Sequence, residues 1–396
     1  MKNTRFIATA AACLGFTLLS AQSTSLNPYT PTPNDSNSME GLIYRVANIE
    51  KKTDKFNLYL NMHGDFEAQW RGSDFDYGKF QMRQLRVEMK GDINDWISYR
   101  YRQRLNKGDD PKGYYDNVLQ SIDVAAVTFK YRKFQFMVGK QCAAYGGIEF
   151  YVNPIEVYEY TDMGSNSTNF MTGVDAIYNV TPQQQFHFQI LNANPFSTKK
   201  LYGDYEKAKM PLLYTVNWNG NFKDVFLTRW SASYMNELLG HRAYYFALGN
   251  LVNFTPQLGA YFDFMYSREG VDRRGILTKM IKGDDAERNV ANVSYNAFVL
   301  HLHYRFLPQW NLFAKGTYER ANVYKASGDV PKGNYRTSWG YSAGIEYYPI
   351  KNDNLHFFLA YVGRSFRYSD LARSFGNSNY DTNRVSVGFI WQMSVL

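Results

Sequence analysis

The chain has 396 residues, with 44 Lys and Arg against 36 Asp and Glu, a formal net charge of +8. Mean hydropathy is −0.46 and 45% of residues are hydrophobic, which excludes a bundle of membrane-spanning helices. Beyond the N-terminus no run approaches the roughly 18 apolar residues such a helix needs. The 33 Tyr and 28 Phe of a chain that is polar on average suit strands that alternate between two unlike surfaces, a composition that a large soluble all-β protein would share.

The first element is a targeting segment. Lys2 and Arg5 make a basic start, Phe6 to Leu19 is mostly apolar, and Ser20-Ala21-Gln22 supplies small residues. Residues 1–21 therefore read as a signal peptide cleaved after Ala21. Cys13 lies inside the apolar run rather than at its end, which argues against a lipidated cysteine. Cleavage leaves Cys142 as the sole cysteine, so no intrachain disulfide can form. Export, without any basic block, argues against a nucleic-acid partner and places the excess positive charge in a water-filled lumen. Residues 22–55 read as a periplasmic leader, rich in Pro, Ser, Thr and Asn up to Ser38. A short helix is expected over Met39 to Thr53, capped by Ser38, with Leu42, Val46 and Ile49 on one face.

At Phe56 the period changes to two. Phe56, Leu58, Leu60, Met62, Phe66 and Trp70 alternate with Asn57, Asn61, His63, Asp65, Glu67 and Arg71. Similar segments follow near 80–91, 96–105, 117–130, 133–141, 170–180, 184–192, 211–219, 224–234, 242–253, 257–268, 293–306, 311–320, 338–348, 355–365 and 383–395. The segment 117–130 mixes residue types on both faces. The count is about 16, with 14 or 18 left open. Residues 56–396 are thus expected to form an all-β, transmembrane antiparallel β-barrel, because only a closed sheet satisfies its edge groups in lipid.

The connections support this. Every second one is short and turn-like: Asp92 to Asp95, Tyr131-Arg132, Thr181 to Gln183, Gly220 to Lys223, Phe254 to Pro256, Leu307 to Trp310 and Pro349 to Asn354. The other set includes Cys142 to Asn169, Ala193 to Met210, Glu269 to Asn292, Ala321 to Thr337 and Phe366 to Thr382, all long and polar. Short periplasmic turns and long extracellular loops sort this way in outer-membrane barrels, and a soluble sandwich has no reason to do so. Trp96, Phe222, Phe254, Trp310 and Tyr348 sit near turns, as an interfacial girdle requires. The final strand places Val385, Val387, Phe389, Trp391, Met393 and Val395 on one face.

One strand carries the strongest functional signal. In Trp96 to Arg104, Ile97, Tyr99 and Tyr101 fall on one side and Arg100, Arg102 and Arg104 on the other, a ladder with a rung about every 7 Å. An Arg facing lipid at mid-depth costs about 2–4 kcal/mol, so the three arginines should face the lumen. Arg86 lies on the neighbouring strand, opposite in phase to Leu85, Val87 and Met89; Arg83 is nearer the rim, with its phase open. Guanidinium donors match phosphate and carboxylate oxygens, and a row of weak sites lets anions enter and leave. Asp65, Glu67, Glu88 and Asp123 are candidate inward partners, so the ladder could equally brace the wall.

Phe80-Gln81-Met82-Arg83-Gln84-Leu85-Arg86-Val87-Glu88-Met89-Lys90-Gly91, the Asp95-Trp96 turn and the arginine strand resemble the phosphate-selective porin O and P family of Gram-negative outer membranes. Val138-Gly139-Lys140-Gln141 leading to Tyr145-Gly146-Gly147 is similar to that family's strand and glycine-rich loop. The resemblance implies 16-stranded, often trimeric channels for anions, with a long loop folded inward; Cys142 to Asn169 is the expected one. Ending on Leu396 departs from the commoner aromatic terminus, and phosphate selectivity itself does not carry over.

Arg229 and Lys315 also fall at lumen phases. His301, His303 and Arg305 alternate inward on one strand; two histidines at i, i+2 could bind a metal, but no acid or cysteine accompanies them at ligand spacing, so a polar wall is the better reading. No catalytic motif is present, and neither an enzyme nor a cofactor is expected. The sequence thus leads to a porin for passive diffusion of small hydrophilic solutes. It is biased toward anions such as phosphate, and its expected partners are small anionic solutes, outer-membrane lipid and a homotrimer. A barrel binding partners through its loops, or a barrel enzyme such as a lipase or protease, are the competing readings.

Overall fold

A computed structural model of the chain describes residues 55–108, 118–193, 203–284, 286–351 and 353–395. The signal peptide and the helix expected over Met39 to Thr53 lie outside them. Among the described residues no helix is long and apolar enough to cross a membrane. Sixteen strands account for most of the rest: β1 (Asn57–Arg71), β2 (Asp74–Asn94), β3 (Ile97–Arg104), β4 (Ile122–Tyr131), β5 (Phe134–Cys142), β6 (Phe170–Thr181), β7 (Gln184–Asn192), β8 (Lys207–Phe222), β9 (Phe226–Leu238), β10 (His241–Asn253), β11 (Leu258–Val271), β12 (Ala291–Leu307), β13 (Trp310–Val323), β14 (Gly333–Tyr347), β15 (His356–Tyr368) and β16 (Tyr380–Ser394). Each pairs with its sequence neighbours, and β16 closes on β1 to make a barrel. The closing seam is antiparallel and long, from Tyr59 opposite Ser394 to Arg71 opposite Thr382.

Alternation decides which side of the wall each residue takes. On β1, Asn57, Tyr59, Asn61, His63, Asp65 and Glu67 are buried inside while Phe66 is exposed. Leu300, Leu302 and Tyr304 on β12 and Val385 and Val387 on β16 are likewise exposed. Apolar outward and polar inward is the reverse of a soluble fold and is what lipid outside and water inside demand.

The two ends differ as the loop lengths predict, with two refinements. Between β1 and β2, and between β9 and β10, the outer connection is a tight turn through Gly72 and Gly240, both at positive φ, a conformation that glycine adopts without strain. β2 therefore begins at Asp74 rather than near residue 80. Cross-strand contacts extend this hairpin: Trp70 meets Phe75 edge-on at 5.6 Å, Phe66 meets Phe80 at 4.9 Å, and the Tyr77 hydroxyl donates to Glu67 at 2.9 Å. Such pairs are what stabilise a strand pair beyond its backbone bonds.

The mixed segment 117–130 has a local explanation. A register shift between Arg102 and Gln103 interrupts the β3–β4 pairing. This bulge turns Asp123 inward, although Val127 and Phe129, at the same parity, face outward. Tyr348 corrects the expected girdle: it is buried, stacks on His356 at 4.6 Å and lies under Arg305, so it belongs to the interior.

The interior is not uniform. Ile148, Val152 and Met163 of segment 143–169 pack with Leu213, Leu251, Met265 and Val299 of the wall and with Ile276 and Leu277 of segment 272–290. Ile148, Ile155 and Met163 are at most 1% exposed, and burying each such side chain stabilises by about 1.5–3 kcal/mol. One part of the barrel is therefore filled by an apolar core, and two large groups of charged side chains line the wall formed by β1–β4 and β13–β16, apart from Glu237, Asp263 and Glu269 on β9 and β11.

Candidate functional site: the charged lumen wall and its strap

Arg86, Arg100, Arg102 and Arg104 all face inward and form one cluster on β2 and β3. Register sets Arg86 opposite Arg104, Glu88 opposite Arg102 and Lys90 opposite Arg100. Asp123, fully buried, is shared by three of them: Arg104 at 2.9 Å, Arg102 at 3.4 Å and Arg86 at 3.6 Å. Arg100 pairs with Glu88 at 2.9 Å. The bracing partners considered from sequence are thus in place, yet among the described residues four guanidiniums share two carboxylates. Exposure separates them: the Arg100 side chain is 43% exposed and Arg104 23%, against 10% for Arg102 and 5% for Arg86. Arg100 and Arg104 are thus open to water, whereas Arg86 is almost wholly withdrawn from it. Arg83 sits at a second register shift, where Gln84 pairs with His63 and Met82 with Gly64. The shift turns Arg83 inward onto Asp65 at 2.9 Å and Glu67 at 2.5 Å.

Segment 143–169 crosses the interior as a strap. Its first half hangs on β7, β9 and β11 by backbone donors: Ala144 to Gln189 at 2.7 Å, Gly146 to Ser231 at 2.7 Å, and Ile148 and Glu149 to the two Asp263 oxygens, each at 2.7 Å. Its middle reaches β1 and β16, where the Ile155 carbonyl lies 2.8 Å from His63 Nδ1 and Asn153 donates to Gln392 at 3.3 Å. Its acidic side chains, from Glu149 to Asp162, meet cations of β13–β16. Lys315 binds Glu149 at 2.5 Å; Arg364 binds Asp162 at 2.8 Å and Glu159 at 3.6 Å; Arg384 binds Glu159 at 3.0 Å and the Tyr158 carbonyl at 2.7 Å; Arg336 also binds Asp162. This is the inward loop expected from the resemblance.

The remaining sequence candidates are placed as follows. Lys315 lies at a lumen phase but under the strap. Arg229 stacks on the Tyr151 ring at 3.8 Å. His301 stacks on Tyr261 at 4.8 Å, and Arg305 covers Tyr348 at 4.7 Å. His303 lies beside Gly259. Among the described residues no group of His, Cys, Asp and Glu could hold a metal. Arg336, Arg364 and Arg384 were missed by sequence reasoning. Their signal was present: Arg364 and Arg384 are out of phase with the outward Tyr361 and Val385.

Segment 272–290 carries a helix, Ile276–Lys282, held at the outer end by Asp272. That carboxylate accepts from Thr278 N at 2.7 Å, Thr278 Oγ1 at 2.8 Å and the Tyr295 hydroxyl at 2.7 Å. Burial, and secondarily Glu269, push its pKa up to about 6. A raised carboxyl pKa means the docked segment binds a proton more tightly than the released one. Docking is therefore strengthened as pH falls through about 6 and weakened above it. Exchange of the 276–282 amides, corrected for intrinsic rates, is expected to be slower at pH 5 than at pH 8.

The fold and its site define a class: an outer-membrane porin, a closed barrel with an inward strap beside a charged wall. A model of the phosphate-selective porin O and P family matches residues 56–393, and the chain belongs to that family. Solved structures agree on the fold. An anion-selective porin from Comamonas acidovorans matches with TM-score 0.57 at 8% identity, over 86% of this chain and 99% of that one. Salmonella typhi OmpF in complex with daunomycin matches with TM-score 0.57 at 14% identity, over 87% and 99%. The trimer form of Vibrio cholerae OmpT matches with TM-score 0.55 at 10% identity, over 85% and 99%. No curated protein sequence matches.

Proposed function

We propose that this outer-membrane channel passively admits small hydrophilic solutes with a bias toward anions, phosphate among them, and that it works as a homotrimer. The observation that carries the bias is the cluster in which four guanidiniums share the carboxylates of Glu88 and Asp123. Unequal pairing leaves net positive charge on one patch of wall, and Arg100 presents it to water. Each contact is weak, which is what conduction requires: favourable enough for entry and loose enough for exit. The family's name and the anion-selective relative point the same way, and the trimeric relative supports the assembly.

Planar-bilayer recording under a salt gradient tests the bias. The purified protein is expected to give a reversal potential of the anion-selective sign; a cation-selective or non-conducting protein overturns the proposal. A unit charge pair at 4 Å is worth about 1 kcal/mol in water, so Arg100→Gln should lower the anion-to-cation permeability ratio about fivefold or less. Glu88, the partner of Arg100, is buried, but Gln keeps a side-chain donor beside it and Arg102 lies opposite it in register, so the fall in the thermal midpoint should be smaller than for removal of Asp123. An unmoved reversal potential in the Arg100, Arg102 and Arg104 to Gln triple variant would return the ladder to bracing alone. Native mass measurement in detergent tests the trimer, a monomer mass being the contrary result.

A further inference from the structure

The lumen face of β6–β8 carries a second surface that the arginine cluster does not use. Outward positions on these strands are marked by the exposed Val174, Phe188, Ile190, Tyr214 and Val216, so the residues between them face the lumen. Register sets these in rows of three: Asp175, Gln189 and Thr215; then Ile177, His187 and Asn217; then Asn179, Gln185 and Asn219. Rows are about 7 Å apart and neighbours within a row about 4.8 Å. Ile177 apart, every side chain of this grid is polar, and carboxamides predominate. The Asp175 carboxylate is engaged by His187 Nδ1 at 2.8 Å; His187 Nε2 lies 2.8 Å from Gln185, and Gln185 donates to Asn179 at 2.9 Å. Among the described residues, the Asn219 carbonyl oxygen and both amide atoms of Asn217 have no hydrogen-bond partner. Asn217 is wholly buried. Gln185, His187 and Asn219 are part-exposed, and the water they meet is that of the lumen.

The grid adjoins the cationic wall. Asn219 lies opposite Arg229 on β9, whose guanidinium stands 3.8 Å from the Tyr151 ring of the strap. Arg100 is within electrostatic reach of the same Tyr151, so one strap residue links the two surfaces. β3 and β7 are four strands apart on the closed ring of sixteen, a quarter of its circumference. A solute passing between them has guanidiniums on one side and amides on the other. These suit different chemical groups. Guanidiniums bind phosphate with charge-assisted, two-pronged hydrogen bonds. A carboxamide offers both donors and an acceptor, the complement of an alcohol hydroxyl, and carries no charge with which to hold a bare ion.

We propose that the lumen recognises small anions that also carry several hydroxyl groups, a sugar phosphate being the type, with the phosphate on Arg100 and Arg229 and the hydroxyls on Gln185, His187 and Asn219. This rests on the anion bias proposed above and adds to it a second surface and a class of solute. Once the phosphate is held, the hydroxyl contacts form within one complex at high effective concentration, so contacts that are weak singly add up to a preference.

The test is inhibition of chloride current through the purified full-length barrel in a planar bilayer, at pH 8, where the phosphates are mostly dianionic. The probes are glucose 6-phosphate, glucose, inorganic phosphate and cyclohexyl phosphate, whose ring matches that of the sugar but bears no hydroxyls. Glucose 6-phosphate is expected to half-inhibit at a concentration about tenfold below either other phosphate, and glucose to leave the current unchanged. In the Gln185→Leu, Asn219→Leu double variant that preference should fall to about twofold or less, and Asn219→Ala alone should lose part of it, since the hydroxyl contacts are removed. Arg100→Gln should weaken all three phosphates and keep their order. Retention of the folded barrel's gel mobility checks that each variant is assembled. Cyclohexyl phosphate as potent as glucose 6-phosphate would mean that size alone is read, and overturns the proposal. So would glucose as potent as its phosphate, a preference that survives the double variant, or a double variant that weakens every phosphate by one factor. An anion-selective reversal potential would stand through each of those results, whereas a cation-selective one overturns the anion bias and this proposal with it.

Discussion

Asp263→Ala is expected to raise single-channel conductance and to make segment 143–169 cleavable by added protease, while the barrel itself stays folded. Asp263 is fully buried, and its two oxygens accept the Ile148 and Glu149 amides at 2.7 Å each. Alanine leaves two buried N–H groups without acceptors, each costing about 1–3 kcal/mol. The docked strap therefore loses about 2–6 kcal/mol relative to a released one, enough to populate the released form. The barrel keeps its backbone ladder, and Arg336, Arg364 and Arg384 still hold the other half of the strap. The opening should thus be local to residues 146–150 and appear as larger, noisier current rather than collapse. Asp263→Asn retains one carbonyl acceptor and should fall between wild type and Ala. Unchanged conductance together with unchanged protease resistance would show that the apolar packing of Ile148 and Met163 holds the strap without Asp263.

How much of this was legible in the sequence depends on the range of the interaction. The barrel was readable because each strand records its two environments residue by residue: Leu300, Leu302 and Tyr304 against His301, His303 and Arg305. The lumen orientation of Arg100, Arg102 and Arg104 followed from the cost of placing them in lipid. The pairing of those arginines did not follow, because Asp123 reaches them only through a bulge, and a one-residue shift reverses the face that alternation assigns. Arg83 was obscured for the same reason. The strap's anchors were beyond any local pattern: Ile148 and Asp263 are 115 residues apart, and Asp162 and Arg336 are 174 apart. Only closure of the sheet brings them together. The cations at Arg336, Arg364 and Arg384 had readable phases and were overlooked because they stand singly rather than as a ladder.

Asp123→Ala should move two observables in opposite directions, lowering stability while raising anion selectivity. Wild-type Asp123 sits 2.9 to 3.6 Å from Arg104, Arg102 and Arg86. Without it, three guanidiniums face one another, and Arg86 is almost entirely out of water. Removing one partner of a buried ion pair costs about 3–5 kcal/mol, so a clear fall in the thermal midpoint is expected. Pore charge meanwhile becomes more positive by one unit, and Arg102 and Arg104 are released toward the solute path, so the reversal potential should shift further in the anion direction. Arg86→Gln in the Asp123→Ala background removes the stranded cation and should recover part of the stability, a coupling that a double-mutant cycle reads directly. Arg100→Gln is the complementary case, in which selectivity falls and stability falls less, because Gln still donates to Glu88 and Arg102 lies opposite it. If Asp123→Ala left the thermal midpoint unchanged, the cluster would not brace the wall. If it lowered anion selectivity, the carboxylate would have to act on the pathway other than by neutralising its neighbours, and the division of labour between a buried Arg86 and an exposed Arg100 would fail.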